Sequence, residues 1–219
     1  MSKRFLYENA YPIFVIGQRI KRYIIGLKGL FIHPKLPTNQ NGEVLIHLGC
    51  GSVNSPEFIN VDARSAPHVH YVCDVTDLSI FQNDYADLVY ACHVLEHIEA
   101  TNLKKVLLEW KRVLKPCGTL RISVPDFDKL LYVYEACDRD SESIRMPLMG
   151  YRDGYNAHCM IFNNNYLNRI LRELGFINIR EWDPSRVDYH DFEDWASICI
   201  QRNNREFNIS LNLEATKPD

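Results

Sequence analysis

Two glycines and an aspartate stand at a spacing that suits a nucleoside-binding sheet. In the stretch 43–62, EVLIHLGCGSVNSPEFINVD, one apolar run stops at Gly49 and Gly51, and a second ends at Asp62. Glycines let the backbone approach a ligand closely because they lack a Cβ. Ligands of open α/β sheets lie beyond the carboxyl ends of the strands, where an acidic residue can accept hydrogen bonds from both hydroxyls of a ribose. The pattern predicts a nucleoside cofactor.

The sequence HVLEH at positions 93–97 is a second candidate for chemistry. Read as H-x-x-E-H, it is a zinc-protease signature in which two histidines four apart on a helix bind the metal and the glutamate is the base. The alternative is that Glu96 and His97 brace the loop after a buried strand. The preceding residues 85–94, YADLVYACHV, are typical of such a strand. We therefore favour bracing and expect no metal at His93 and His97.

Strands and helices alternate along the chain, which is typical of a mainly parallel sheet with covering helices. Apolar runs and helical periodicity predict the elements, and proline, glycine and polar runs predict the connections between them. The predicted strands are 44–48, 58–62, 68–74, 85–94, 119–125, 177–182 and 209–217. The predicted helices are 100–114, a helix that Asp126 caps, and 166–174, with a loop over 138–158.

The connection after the glycine turn is short. Asp62 follows Gly49 by 13 residues and Pro56 lies between them, whereas a dinucleotide-binding fingerprint places about 20 residues there, enough for a full helix. Val53 occupies the usual position of the third glycine. We therefore expect the first covering helix to be shortened or absent, and another element to close that side of the pocket.

Charge divides the chain into an N-terminal arm, residues 1–40, and a domain, residues 41–219. The arm has seven basic residues against Glu8 alone, so a net charge of −3 leaves an acidic body. A basic arm can dock on the body as a lid, which we favour, or on an anionic membrane surface. An acidic body makes nucleic acid a poor partner. Seven cysteines without a C-x-x-C pair favour reduced thiols and a cytoplasmic location, with peripheral attachment at the inner membrane face left open.

Six motifs in order carry a resemblance to a known family. They are HLGCG, INVD, VCDV, HVLEHI, RVLKPCGTLRISVPD and LRELGFINI. This ordered set resembles the class I S-adenosylmethionine-dependent methyltransferases over about residues 43–217. It is most similar to a bacterial group often associated with cell-surface polysaccharide and glycan biosynthesis. The resemblance implies a doubly wound, Rossmann-like α/β sheet that is mostly parallel, with its last strand antiparallel, and S-adenosylmethionine as the cofactor.

The resemblance also implies which residues bind that cofactor. The glycine turn would lie against its amino-acid portion, Asp62 would hold the ribose, the third strand end would hold the adenine, and the fourth strand end would face the methyl donor. The residues in these positions are Leu48, Gly49, Cys50, Gly51, Asp62, Cys73, Asp74, Val75, Ala91 and His93. For Asp62 and Asp74 the alternative is a turn carboxylate, because acidic residues are common in turns.

The implied activity is methyl transfer to a small-molecule or saccharide acceptor. If a hydroxyl is methylated it must lose a proton, and His93 and His158 are the candidate general bases. The aromatic residues Tyr151, Tyr155 and Phe162 could stack on sugar faces. A second hypothesis, suggested by the short glycine-turn region, is a catalytically idle protein that uses the same fold for binding or as a scaffold.

Overall fold

The computed structural model describes residues 36–37, 39, 41–151 and 156–219. The strands are β1 (Leu45–Leu48), β2 (Phe58–Asp62), β3 (Tyr71–Val72), β4 (Ala86–Cys92), β5 (Leu114–Pro125), β6 (Ile177–Glu181), β7 (Cys199–Arg202), β8 (Arg205–Asn208) and β9 (Ser210–Thr216). The helices are α1 (Leu103–Val113), α2 (Phe127–Ala136), α3 (Glu142–Met149) and α4 (Asn164–Glu173), with a 3-10 helix at Leu95–His97. In these ranges no helix has the length and apolarity to cross a membrane.

Seven of the strands form one sheet in the order β3-β2-β1-β4-β5-β9-β6. Neighbours from β3 to β5 are parallel, and β9 runs antiparallel to both β5 and β6. Leu48, the last residue of β1, pairs with Val61 on one side and Ala91 on the other. The carboxyl ends of β1, β2 and β4 therefore meet at one edge of the sheet. This topology confirms the predicted α/β fold with its antiparallel last strand.

The covering helix between β1 and β2 is absent, as predicted. Residues 49–57 contain turns and no helix. Gly49 and Gly51 both have left-handed backbone conformations, with φ of +63° and +57°. At Gly49 a Cβ would lie 2.4 Å from a methyl carbon of Val94. The glycine is therefore required both by the turn and by the close approach of the β4 loop.

A segment from the other end of the chain covers the sheet face that this helix would have covered. We call residues 182–198 the covering segment. Its side chains Trp182 and Ala196 are buried against sheet residues Leu45, Phe58, Leu88 and Tyr90. The ring of Phe192 stacks on His47 with 5.8 Å between centroids. The N-terminal arm, which we predicted as the lid, lies outside the described residues except for 36–37 and 39, so that prediction stays open.

Helices α1 and α4 pack on the opposite face. The buried residues of α1 recur every three or four positions and form one apolar stripe: Leu103, Val106, Leu107, Trp110 and Val113. Full burial of one such side chain contributes about 1.5–3 kcal/mol. The indole N–H of Trp110 also donates to the carbonyl of Val75 at 2.9 Å. This contact attaches the chain after β3 to the helix layer.

Three details differ from the sequence-based predictions. Helix α3 lies inside the predicted loop 138–158, and the hairpin β7–β8 lies inside the region predicted as a polar loop. The hairpin turns at Asn203 and Asn204, with φ of +47° and +59°, the left-handed pair that a tight two-residue hairpin needs. Strand β3 has only two residues, because its chain leaves the sheet after pairing with the end of β2.

Candidate functional site

A cavity of about 400 Å³ opens at the carboxyl ends of β1 and β4. Its volume lies in the range of about 300–1,000 Å³ that small-molecule sites occupy. Its walls come mainly from the glycine turn, the end of β4 with the 3-10 helix, α3 with the loop after it, and the covering segment, together with Arg64 after β2. The residues that line it include Gly49, Gly51, Arg64, His93, Glu96, His97, Tyr151, His158 and Trp195.

Asp62 braces the glycine turn. Its carboxylate is 5% exposed and accepts a hydrogen bond of 2.8 Å from the Gly51 N–H and one of 2.7 Å from the Arg64 N–H. A carboxylate offers about four acceptor positions, so about two remain for a ligand. Asp62 therefore acts as the turn carboxylate that we considered as the alternative, and it retains the capacity to hold a ribose. It lies just behind the cavity wall that Gly51 forms.

The structure places the remaining predicted cofactor residues at different depths. Leu48 and Ala91 are fully buried strand-end residues, and Cys50 lines the cavity with a buried thiol whose pKa is raised to about 12 by burial. Asp74 is exposed, lies outside the cavity lining, and accepts from the Thr76 N–H at 2.8 Å in a turn.

Cys73 and Val75, on either side of Asp74, also lie outside the cavity lining. Burial raises the pKa of Cys73 to about 11, so its thiol stays protonated at neutral pH. The glycine turn and the β4 end thus share one cavity, whereas the predicted adenine residues lie apart from it.

His93 lies at the cavity, but both of its ring nitrogens are engaged. It follows β4 with a φ of +52°, and its Nε2 lies 2.8 Å from the Ser210 hydroxyl. The single hydroxyl proton of Ser210 is donated to the Trp195 carbonyl at 2.6 Å, so His93 Nε2 must be the donor to Ser210. The other nitrogen, Nδ1, lies 3.3 Å from the Glu96 carboxylate. His93 is therefore held in place and has no free nitrogen for a substrate.

Glu96 is the most deeply buried charged group of the site, with 1% exposure. Its backbone carbonyl accepts from Cys159 and Met160 at 2.7 and 3.1 Å, which ties the 3-10 helix to the loop after α3. Burial by itself would raise the pKa of the Glu96 carboxyl. The neighbouring His93 and His97 lower this pKa by more, so the net shift is downward. Apart from the His93 contact, neither carboxylate oxygen has a hydrogen-bond partner among the described residues.

His97 and His158 complete a cluster around this carboxylate. Their rings lie 5.0 Å apart at 69°, and their nitrogens and a Glu96 oxygen all lie within 4.8 Å of one another. His97 Nδ1 lies 3.1 Å from the Ala157 carbonyl, and because a carbonyl only accepts, Nδ1 carries the proton and Nε2 has the lone pair. Burial is the main cause that lowers the pKa of His158, so this imidazole is neutral at pH 7.

Arg64 and Trp195 are among the cavity residues that sequence reasoning missed. Arg64 provides a half-exposed guanidinium beside the glycine turn, 3.7 Å from Asp62. Trp195, which is 40% exposed, lies with its ring 5.7 Å from that of His93. Of the predicted sugar-stacking residues, Tyr151 is exposed at the cavity and Tyr155 lies outside the described residues. Phe162 was a wrong choice because it is 1% exposed and belongs to the core.

Comparison with known proteins agrees with this architecture. Residues 46–122 match a family model described as a methyltransferase domain, a stretch that begins in β1 and ends in β5. A search of curated proteins found no match to the chain. The sheet order and the matched domain define the fold of the class I, Rossmann-like methyltransferases. The cofactor that this domain and fold indicate is S-adenosylmethionine.

Several solved structures share the fold at low sequence identity. A SAM-dependent methyltransferase from Archaeoglobus fulgidus is 16% identical with a TM-score of 0.51, over 99% of this chain and 100% of that one. A SAM-dependent methyltransferase from Thermotoga maritima, described as a possible histamine N-methyltransferase, is 14% identical with a TM-score of 0.52 over 96% of both chains. The CurJ carbon methyltransferase is 15% identical with a TM-score of 0.50; the match covers 85% of this chain but only 50% of that one. None of these matches supports the narrower resemblance to polysaccharide biosynthesis.

Proposed function

We propose that this protein transfers a methyl group from S-adenosylmethionine to a hydroxyl of a small-molecule or saccharide acceptor. The observation that supports this most directly is a single cavity that joins the glycine turn to the Glu96, His97 and His158 cluster. In open α/β sheets this edge is where ligands bind. A cofactor on the turn and an acceptor at the cluster would face each other across that cavity.

Arg64 supplies what the missing helix cannot. In folds of this kind, the exposed N–H groups of the first helix help bind an anionic group. Here residues 49–57 have no helix, and the guanidinium of Arg64 lines the cavity beside Gly51. A guanidinium can bind a carboxylate through two parallel hydrogen bonds. Arg64 would therefore pair with the carboxylate of the cofactor's methionine portion, while Asp62 accepts from the ribose hydroxyls.

The transfer itself needs alignment and a place for one proton. The acceptor oxygen forms a bond to the methyl carbon as the bond from sulfur to that carbon breaks, and the electron pair of the broken bond stays on sulfur. Holding the reactants in line contributes about 7–11 kcal/mol. The hydroxyl proton would pass to the cluster of Glu96, His97 and His158. We assign this role to the cluster instead of His93 because both His93 nitrogens are engaged.

A saccharide is the acceptor class that the sequence resemblance favours. Two exposed aromatic rings, Tyr151 and Trp195, line the cavity, and flat apolar rings of this kind can pack on the faces of a sugar. No feature of the described residues favours the idle-scaffold alternative.

Calorimetry with S-adenosylhomocysteine and S-adenosylmethionine tests the cofactor site. We expect micromolar binding, weakened about fivefold in Arg64→Ala because a half-exposed ion pair contributes about 1 kcal/mol. Arg186→Ala is a matched control, since that guanidinium is 83% exposed and pairs with Asp183 outside the cavity lining. The absence of binding at millimolar cofactor would refute the proposed function and favour the scaffold.

Transfer of a labelled methyl group to a panel of sugar nucleotides, free saccharides, small phenols and small amines then identifies the acceptor. A labelled product in the saccharide set, abolished when the cluster is disrupted by Glu96→Gln, supports the proposal. Transfer to an amine in the same assay, with no hydroxyl methylated, would contradict the assignment of the acceptor atom while leaving the cofactor site intact.

A further inference from the structure

A buried carboxylate at the end of a cavity needs a positive partner. Glu96 is 1% exposed, and neither of its oxygens has a hydrogen-bond partner among the described residues. A buried charge without compensation costs several kcal/mol. The nearest group is His93 Nδ1 at 3.3 Å. His93 Nε2 already donates to Ser210, so only its Nδ1 faces the carboxylate.

The two histidines of the cluster lie beside this carboxylate, and His97 is oriented as metal ligands are. His97 donates its Nδ1–H to the Ala157 carbonyl at 3.1 Å, which leaves the Nε2 lone pair free. Histidine ligands to metals almost always donate their second ring N–H to a carbonyl, carboxylate or water in this way. The ring of His158 lies beside that of His97, with 5.0 Å between the two ring centroids. Both imidazoles can therefore present an unprotonated nitrogen to a cation.

We propose that Glu96, His97 and His158 bind one divalent first-row metal ion, with Zn²⁺ as the best match, at the wall of the cavity. One carboxylate oxygen and two imidazole nitrogens are the donor set of several catalytic zinc sites, which keep a further position open for water or substrate. Zinc binds such donors at about 2.0–2.2 Å. The three donors lie within 4.8 Å of one another, so small side-chain rotations bring them around one ion.

The tertiary structure changes which histidines belong together. The H-x-x-E-H signature needs both histidines on one α-helix, but here the motif forms a 3-10 helix from Leu95 to His97, and His93 precedes it in a left-handed conformation. His93 therefore contacts Glu96 without belonging to the cluster of His97, Glu96 and His158. The second imidazole comes from His158, far along the chain. The expectation of no metal concerned His93 and His97 as a pair, and the cluster that the structure forms pairs His97 with His158 instead.

The role of the ion rests on the proposed function. A divalent ion lowers the pKa of a bound hydroxyl or water because it stabilises the negative oxygen. An acceptor hydroxyl on the open position would lose its proton to solvent and then attack the methyl carbon, while sulfur keeps the electron pair of the broken bond. The step needs no oxidant or reductant. The cluster would then act by polarising the acceptor instead of accepting its proton directly.

The untagged chain should be titrated with ZnCl₂ by calorimetry after treatment with a chelator and dialysis. We expect one site with a dissociation constant of about 1 μM or lower. Co²⁺ in place of Zn²⁺ should give visible absorption bands from a low-symmetry site. Loss of a residue that only contacts a metal ligand weakens metal binding by about 10- to 100-fold. Glu96→Gln and His158→Ala remove ligands themselves, so each should weaken Zn²⁺ binding by more than that. His70→Gln is the control, because that histidine lies outside the cavity lining and its Nδ1 accepts from the Asn60 N–H.

Binding of S-adenosylhomocysteine, measured in parallel, separates the two proposals. Retained cofactor binding in a variant that has lost Zn²⁺ shows that the variant is folded and supports a distinct metal site. Zn²⁺ binding weaker than about 100 μM in the wild-type chain, or equal in wild type and both cluster variants, would overturn the metal proposal. In that case the cofactor measurement alone decides whether the proposed methyl transfer is supported.

Discussion

Asp62→Asn probes the carboxylate that closes β2, and the structure predicts two separate effects. Its two oxygens accept from the backbone N–H groups of Gly51 and Arg64 at 2.8 and 2.7 Å. Asparagine keeps one oxygen and turns an NH₂ group towards the other backbone donor. One hydrogen bond is therefore lost, two donors face each other, and the charge that favoured both bonds disappears.

The expected magnitudes follow from these contacts. A hydrogen bond to a charged group contributes about 1.5–3 kcal/mol, so the free energy of unfolding should fall by about that amount. If the remaining acceptor positions of Asp62 hold the ribose, the same substitution also removes a charged acceptor from the cofactor. Cofactor affinity should then fall by about 10- to 100-fold, with the folded state retained.

Urea denaturation measures the first effect, and calorimetry with S-adenosylhomocysteine measures the second. Asp77→Asn is a matched control, because Asp77 accepts from the Ser79 N–H at 3.0 Å in an exposed turn, and surface substitutions usually change stability by less than about 0.5 kcal/mol. Unchanged affinity in Asp62→Asn would exclude the ribose role. Unchanged stability as well would refute the reasoning that the carboxylate braces the glycine turn.

Three further substitutions test the packing around the site. Gly150→Ala should lower the free energy of unfolding by more than about 3 kcal/mol, because the new Cβ would lie 1.9 Å from a backbone oxygen. Gly42 also has a positive φ but has open space around it, so Gly42→Ala should lower that free energy by only about 1–2 kcal/mol. Urea titration compares the two variants, and equal losses would contradict this reasoning. Burial lowers the pKa of His47 from 6.5 to about 4, so between these pH values the unfolded chain binds a proton that the folded chain excludes. The urea midpoint should therefore fall as the pH drops from 6.5 to 4. His47→Phe should make this fall smaller, and an equal pH dependence of the midpoint in both proteins would argue against a role for His47. Arg121→Met leaves the 7%-exposed carboxylate of Glu214 with only the mostly exposed guanidinium of Arg180 as an ion-pair partner. The free energy of unfolding should then fall by about 3 kcal/mol. A loss below about 1 kcal/mol would show that Arg180 alone is a sufficient partner.

Much of the fold could be predicted from the sequence because the relevant signals are local. The 3.6-residue period of α1, the apolar runs of β1 and β4, and the glycine that ends α4, with a φ of +74° at Gly175, are properties of single segments. The missing helix could also be predicted, since the 12 residues between Gly49 and Asp62 cannot form a helix as well as the rest of a glycine turn and a strand. Chain length and backbone geometry alone decide these features.

Helix α3 shows what local patterns could not predict. Pro147 lies inside this helix, where proline removes a backbone hydrogen bond and leaves the carbonyl four residues earlier without its donor. That carbonyl belongs to Ser143, and it accepts from the side chain of Arg202 in β7 at 2.9 Å. A residue of a distant strand, Arg202, therefore satisfies the carbonyl that the proline leaves unpaired. The local sequence of this segment does not show that contact and predicts a loop.

The candidate site depends on the same kind of distant contact. The sequence by itself placed the glycine turn, Asp62 and the HVLEH motif at strand ends, because strand ends follow from local apolar runs. Only the tertiary structure brought His158 to Glu96 and His97, through hydrogen bonds between the motif and a loop about sixty residues later. Side-chain chemistry at a site depends on distances of a few ångströms between segments that are far apart in the chain, and such distances are set by packing, which no local pattern encodes.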